Sequence, residues 1–212
     1  MVSLIDKDVE KIRAMLEEKG IERNTLLVFT SDNGAAQRWE GTINSSGKLR
    51  GIKRDMYEGG IRVPLILSWP GTIPAGRTDS TTVGYLADVL PTFADFAGQK
   101  TPKDIDGISL KDPFLGTPLP AEQNDRVLYW EFHEGSGKQA IRIGKWKAVR
   151  LNVHEKGFHD EIELYNLEKD PEETRDLAEQ FPDIVNRMKE LMRKNHRPSA
   201  TFPFKFEDEY LY

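Results

Sequence analysis

Thr25-Leu26-Leu27-Val28-Phe29-Thr30 runs directly into Ser31-Asp32-Asn33-Gly34, and this junction decides the reading of the chain. The apolar run is short and does not alternate, the pattern of a strand buried on both faces as in a parallel sheet. Ahead of it Ile5, Val9, Ile12 and Leu16 mark one helix face, and Gly20 is placed to stop that helix. Helix, short loop and buried strand form the rhythm of an α/β fold. The strand end then sets a carboxylate and an amide side by side at a loop. Val2 to Asp6 already reads as helix, so the chain is expected to begin inside an element of a longer protein.

Residues 35–60 are polar, rich in glycine and without period, which predicts a long functional loop. It contains Leu49-Arg50-Gly51-Ile52-Lys53 and leads into Tyr57-Glu58-Gly59-Gly60-Ile61-Arg62-Val63-Pro64. Val63 to Trp69 predicts a second buried strand, stopped by Pro70-Gly71. Tyr85 to Ala97 predicts a helix, in which Pro91 either starts the regular part or kinks it. Residues 99–125 read as a connector.

Beyond it the pattern changes to short strands at Val127–Phe132, Ala140–Ile143, Trp146–Leu151 and Glu163–Tyr165. Gly144-Lys145 is placed as a two-residue hairpin turn. Asp183 to Lys194 predicts a closing helix, with Pro182 at its first turn and Ile184, Met188, Leu191 and Met192 inward. The second part is thus expected to be a small antiparallel sheet with a helix against it.

The 212 residues allow one large domain, or a domain with a small satellite. The net charge of −5 argues against a general nucleic-acid binder. With no cysteine there is no disulfide, no thiolate ligand and no thiol nucleophile. No apolar run approaches the roughly 18 residues of a membrane helix, and no signal-peptide pattern is present.

Asp32 and Asn33 offer oxygen ligands, which suit a hard cation such as Ca²⁺, and Asn-Gly is equally a turn dipeptide. Lys53 is a point charge suited to an anionic oxygen, or a solvated loop lysine. Glu58 and Arg62 read as an internal ion pair, and Tyr57 as packed rather than reactive. His133 follows Tyr129-Trp130-Glu131-Phe132; it can donate a proton or bind a sugar hydroxyl, or sit at the surface at a strand end. His154, His159 and His196 have no metal-ligand spacing and are assigned no role. Trp130 and Trp146 read as sheet core in preference to a sugar-stacking edge. Asp170-Pro171-Glu172-Glu173 reads as a structural turn feeding a helical segment.

The ordered series Thr30-Ser31-Asp32-Asn33-Gly34, Leu49-Arg50-Gly51 with Lys53, Tyr57 to Pro64, and Trp69-Pro70-Gly71 resembles the type I sulfatases of the alkaline-phosphatase-like superfamily. The resemblance continues through Asp88-Val89-Leu90-Pro91-Thr92, Asp106-Gly107, Leu164-Tyr165-Asn166-Leu167 and Asp170-Pro171-Glu172. It implies an α/β fold: the C-terminal part of a sulfatase catalytic domain over residues 1–120, then a small α+β subdomain with an antiparallel sheet over 121–212. It further implies Asp32 and Asn33 as Ca²⁺ ligands and Lys53 as the catalytic, sulfate-contacting cation. His133 is kept as a substrate-side residue.

The family nucleophile is a formylglycine made from Cys or Ser in a C/S-x-P-x-R motif. No such motif occurs here, since Ser68-Trp69-Pro70-Gly71-Thr72 lacks the arginine. The resemblance therefore implies a sulfuric ester hydrolase, acting on a sulfated small molecule or carbohydrate, whose N-terminal half carries the nucleophile and further metal ligands. The chain alone is expected to be inactive, and the missing half could be a separate chain. A non-catalytic binding or subunit fragment is the alternative, and a phosphoesterase of the same superfamily a third. A periplasmic or secreted location is expected for the intact family member; this chain itself leaves the compartment open.

Overall fold

The computed structural model describes residues 2–36, 43–155 and 160–204. His159 and residues 37–42 of the expected long loop lie outside them. The chain forms two compact units, one of residues 1–30 and 64–124, the other of 31–63 and 125–212.

In the first unit α1 spans Val2–Glu18. It ends in a Schellman turn: Ile21 N–H donates to Leu16 O (3.0 Å) and Gly20 N–H to Glu17 O (2.9 Å), with Gly20 at φ +65°. The expected helix face is present, but no residue of α1 is buried among the described residues. Strand β1 (Leu27–Thr30) pairs with β2 (Leu65–Ser68) in antiparallel register, Leu27 opposite Ser68 and Thr30 opposite Leu65. This corrects the parallel, two-sided reading of the Thr25–Thr30 run. A four-residue apolar strand has no signature of direction, and Phe29 and Leu65 remain partly exposed.

The helix expected over Tyr85–Ala97 is a 3₁₀ turn, Leu86–Asp88, followed by α3, Val89–Phe96. Pro91 takes the third position of α3, where its missing N–H would have had no helical partner, so it starts the helix rather than kinking it. The buried Asp88 carboxylate accepts from Tyr85 N–H (2.8 Å) and Ile108 N–H (2.9 Å), which fastens the start of α3 to the Asp106-Gly107 segment. Helices α4 (Lys111–Leu115) and α5 (Ala121–Asn124) complete this unit.

In the second unit β3 (Val127–Phe132), β4 (Lys138–Ile143), β5 (Trp146–Leu151) and β6 (Glu163–Asn166) form an antiparallel sheet in that order. Gly144-Lys145 makes the turn between the paired Ile143 and Trp146, with Gly144 at φ +53°. Helix α6 (Pro182–Asn195) covers one face of the sheet; Met188 and Met192 are fully buried against Ile141, Ala148, Ile162 and Leu164. Each such side chain contributes about 1.5–3 kcal/mol by leaving water. Trp146 packs against this core, as expected.

The opposite face is covered too. Met56 and Tyr57 pack there on Ala140, Val149 and Tyr165, with Trp130 beside them. The segment carrying α2 (Glu58–Ile61) is therefore a second roof for the sheet, which explains why β5 is buried on both sides.

Candidate functional site

The candidate residues begin where β1 ends. Ser31 Oγ donates to Asn33 O (2.9 Å), and Asn33 Nδ2 donates to Asp32 Oδ1 (2.7 Å). The turn thus folds the amide against the carboxylate. Among the described residues Asp32 Oδ2 and Asn33 Oδ1 carry no hydrogen bond, so two hard oxygens stay available on neighbouring side chains. No group of three or more His, Cys, Asp or Glu with metal-binding geometry occurs among the described residues. The pair fits Ca²⁺ chemically and supplies only part of the six to eight oxygens that ion takes.

Two backbone hydrogen bonds bring the distant candidates to this turn. Gly34 N–H donates to Gly60 O (2.9 Å), and Lys53 N–H donates to Ala35 O (2.8 Å). Lys53 itself is exposed, and no ion pair engages it among the described residues. The loop carrying Lys53 is thereby fixed beside the Asp32-Asn33 turn, twenty residues away in sequence.

The glycines make this approach possible. A Cβ on Gly34 would lie 1.9 Å from Gly59 O, one on Gly59 2.2 Å from Gly51 O, and one on Gly60 2.2 Å from Asp55 O. Three strands of loop backbone touch at these points, where a methyl group has no room. Glycines around a lysine would let backbone come close to a ligand. The structure has them bringing backbone against backbone.

Charge then fixes the assembly to the sheet. Lys147 on β5 is fully buried, and its Nζ lies 2.9 Å from Glu58 Oε1 and 2.8 Å from Glu173 Oε1. The Glu58 N–H donates to Glu173 Oε2 (2.6 Å). Burial pushes the Glu173 carboxyl up from its ordinary value, against the opposing pull of Lys147. Removing one partner of such a buried cluster costs about 3–5 kcal/mol, because the remaining charge is left uncompensated. Glu58 and Arg62 do pair at 3.7 Å, but Arg62 is mostly exposed and the buried partner is Lys147. Lys147 did not stand out in the sequence, and Glu173 did so only as part of the Asp170 turn. The Asp170 turn is structural: its carboxylate accepts from Thr174 and Arg175 N–H, and Glu173 at φ +54° is turned inward. It leads to a 3₁₀ turn, Ala178–Gln180, before α6 begins.

A second brace lies beside it. Arg50 donates to Tyr165 Oη (2.7 Å), Tyr57 Oη (3.0 Å) and Glu173 O (3.2 Å), with its guanidinium 3.8 Å from the centre of the Tyr57 ring. Both tyrosine hydroxyls donate to Glu163 Oε2, Tyr57 at 2.6 Å and Tyr165 at 2.8 Å. Burial first, and the bond to the Glu163 carboxylate second, push both phenols far above their usual range. They remain protonated donors, and Tyr57 is a packed residue.

His133 closes β3 and is built into a cluster. Its Nε2 lies 3.1 Å from Glu131 Oε2, and its ring stacks on Phe204 at 4.1 Å between centroids. The other Glu131 oxygen meets His196 Nδ1 at 2.5 Å, so His196 fastens the end of α6 to β3. His154 Nε2 lies 3.2 Å from His133 O. The neighbouring turn reaches the Lys53 loop: Arg54 Nε pairs with Glu134 Oε2 at 3.2 Å, and Lys138 Nζ donates to Arg54 O (3.1 Å) and Asp55 Oδ1 (2.7 Å). The structure thus brings the Lys53 backbone to the Asp32-Asn33 turn, and the Arg54–Glu134 pair sets the His133-Glu134 turn beside the same loop.

The family model described as N-sulphoglucosamine sulphohydrolase, C-terminal, matches residues 52–197, and the model described as Sulfatase matches residues 1–99. The chain is 30% identical to N-acetylgalactosamine-6-sulfatase of Mus musculus, over 91% of this chain and 42% of that protein. It is 31% identical to N-acetylglucosamine-6-O-sulfatase of Bacteroides thetaiotaomicron, over 91% and 33%. It is also similar to the crystal structure of Ps i-CgsB in complex with k-i-k-neocarrahexaose, with TM-score 0.78 and 31% identity over 99% of this chain and 45% of the other. The structure of BT4656 in complex with its substrate D-glucosamine-2-N,6-O-disulfate gives TM-score 0.72 and 28% identity over 91% and 38%. The chain spans at most about two fifths of the length of the two curated relatives compared. The chain belongs to the sulfatases of the alkaline-phosphatase-like superfamily, and corresponds to their C-terminal portion.

Proposed function

We propose that this chain supplies the sulfate-binding side of a sulfuric ester hydrolase acting on a sulfated carbohydrate. The observation that supports the reading is the pair of backbone bonds, Gly34 to Gly60 and Lys53 to Ala35, by which the Lys53 backbone runs beside the Asp32-Asn33 turn. The carbohydrate class is supported by relatives named for N-acetylgalactosamine and N-acetylglucosamine sulfates. Residues 1–120 are proposed to belong to the catalytic α/β domain and residues 121–212 to form its C-terminal subdomain.

In this reading Lys53 Nζ binds a sulfuryl oxygen and neutralises charge that grows there as the ester bond breaks, the kind of stabilisation that dominates many group transfers. Asp32 and Asn33 would hold part of the coordination shell of Ca²⁺, which when bound would supply positive charge to the sulfuryl group. Further ligands and the formylglycine are proposed to come from the polypeptide that completes the catalytic domain. Arg54 and the His133-Glu134 turn are proposed to face the alcohol portion of the substrate, because the Arg54–Glu134 pair places that turn next to Lys53.

The test is an NMR titration of the 212-residue chain with sodium sulfate at constant ionic strength, with and without CaCl₂. Sulfate is expected to shift the Lys53 side-chain and Gly34 amide resonances, and Lys53→Ala to abolish the Gly34 shift. Equal responses to sulfate and chloride, or an unchanged Gly34 shift in Lys53→Ala, would refute the assignment.

A further inference from the structure

We infer that Lys147 is a positioning residue for the sulfate-binding side of the site. The inference rests on the proposed roles of Lys53, Asp32 and Asn33, and it assigns their placement to the antiparallel sheet. The connection can be followed atom by atom. Lys147 Nζ, fully buried on β5, holds Glu58 Oε1 at 2.9 Å and Glu173 Oε1 at 2.8 Å. Glu173 Oε2 accepts the Glu58 N–H at 2.6 Å, so both ends of the Glu58 residue are fixed. The next residue, Gly59, donates its N–H to Arg50 O at 2.7 Å, and Gly60 O accepts from Gly34 N–H at 2.9 Å. Gly34 adjoins Asn33, and Lys53 lies between the two contact points of the 50–60 loop.

Among the described residues Lys147 is the one fully buried cation paired with Glu58; Arg62 pairs with it from a largely exposed position, and the half-buried Arg142 acts on it through charge without an ion pair. An apolar side chain at residue 147 would fill the space and leave two carboxylates facing each other in a dry site. One of them would take up a proton or the two would move apart, and moving apart carries α2 or the Glu173 turn outward. Either movement displaces the loop that carries Lys53. Residues 31–63 cluster with 125–212 in one compact unit, which is the arrangement such an anchor requires.

The experiment uses the 212-residue chain, with peptide-resolved hydrogen exchange and the inorganic sulfate titration side by side. In Lys147→Met, exchange over residues 49–61 is expected to rise about ten-fold or more, while α6 on the opposite face of the sheet stays within about two-fold of wild type. Sulfate affinity at Lys53 is expected to fall by about ten-fold, and Lys147→Arg, which keeps the charge, to restore most of it. Should Lys147→Met fail to fold, Glu173→Gln weakens the same clamp and is expected to change both readouts in the same direction.

Unchanged exchange over 49–61 in Lys147→Met would overturn the inference. So would equal acceleration in α6 and the sheet, since that marks a core residue without a directed role. If wild-type Lys53 gives no sulfate response, the sulfate reading fails on its own, and the exchange pattern still decides whether Lys147 positions the loop.

Discussion

Replacing Gly59 by alanine tests the packing that brings the site together. The added Cβ would lie 2.2 Å from Gly51 O, 2.5 Å from Arg50 O and 2.8 Å from Leu49 O. All three are backbone atoms, so no side chain can rotate away. Restoring an ordinary 3.4 Å contact to Gly51 O requires a retreat of about 1.2 Å by that segment. The retreat breaks the 2.7 Å bond from Gly59 N–H to Arg50 O. Overpacking of this kind costs about 1–3 kcal/mol, and the lost hydrogen bond adds about 1 kcal/mol. A loss of about 2–4 kcal/mol is therefore expected in the second unit. Gly20→Ala is the control: Gly20 has φ +65° with nothing within 4 Å of the added methyl, so only the left-handed penalty of about 1 kcal/mol applies. The assay is urea denaturation read through exchange of β4 and β5 amides, with the slope checked for constancy. A Gly59→Ala loss below about 0.5 kcal/mol, or a Gly20→Ala effect of equal size in the same amides, would refute the reasoning.

Two further outcomes follow from the packing and the charges. Met188→Ala empties a fully buried position between α6 and the sheet and is expected to cost about 2–5 kcal/mol; a loss under 1 kcal/mol, roughly, by the same denaturation assay would mean that the site collapses freely. Asp79 accepts N–H bonds from Thr82 and Thr81, which hold its carboxyl well below the ordinary 3.8. A depressed carboxylate stabilises the fold above its ordinary value and loses that contribution as pH falls. Asp79→Ala is expected to cost about 1–2 kcal/mol at neutral pH, and the gap to wild type should narrow from about pH 4 toward pH 2. Thermal melts of the two proteins showing a constant gap over that range would contradict this.

Much of the candidate site was legible in the sequence because its residues sit in short, ordered motifs. Asp32-Asn33, Lys53 and the Tyr57-Glu58-Gly59-Gly60 run could be named from residue type and spacing alone. The hairpin at Gly144-Lys145 and the inward Met188 and Met192 were equally readable, since turn chemistry and helical period are local. Lys147 and Glu173 were not. A buried lysine is written in the sequence like any surface lysine, and only its two carboxylate partners, 89 and 26 residues away in numbering, show why it is inside. His196 likewise read as a bystander at a helix end until Glu131 was found beside it.

The sequence by itself determined the family and the α/β character. It also named the charged residues proposed to meet a sulfate, because those depend on motif identity. The tertiary structure decided three things. It set β1 and β2 antiparallel, a direction that a four-residue apolar run does not encode. It turned the signature glycines into points of backbone contact. It also set the Met56-to-Ile61 segment on the face of the second unit's sheet opposite α6, where a buried ion cluster holds it. The physical reason is common to all three: contacts between segments far apart in sequence depend on which surfaces meet, and no local pattern records the partner.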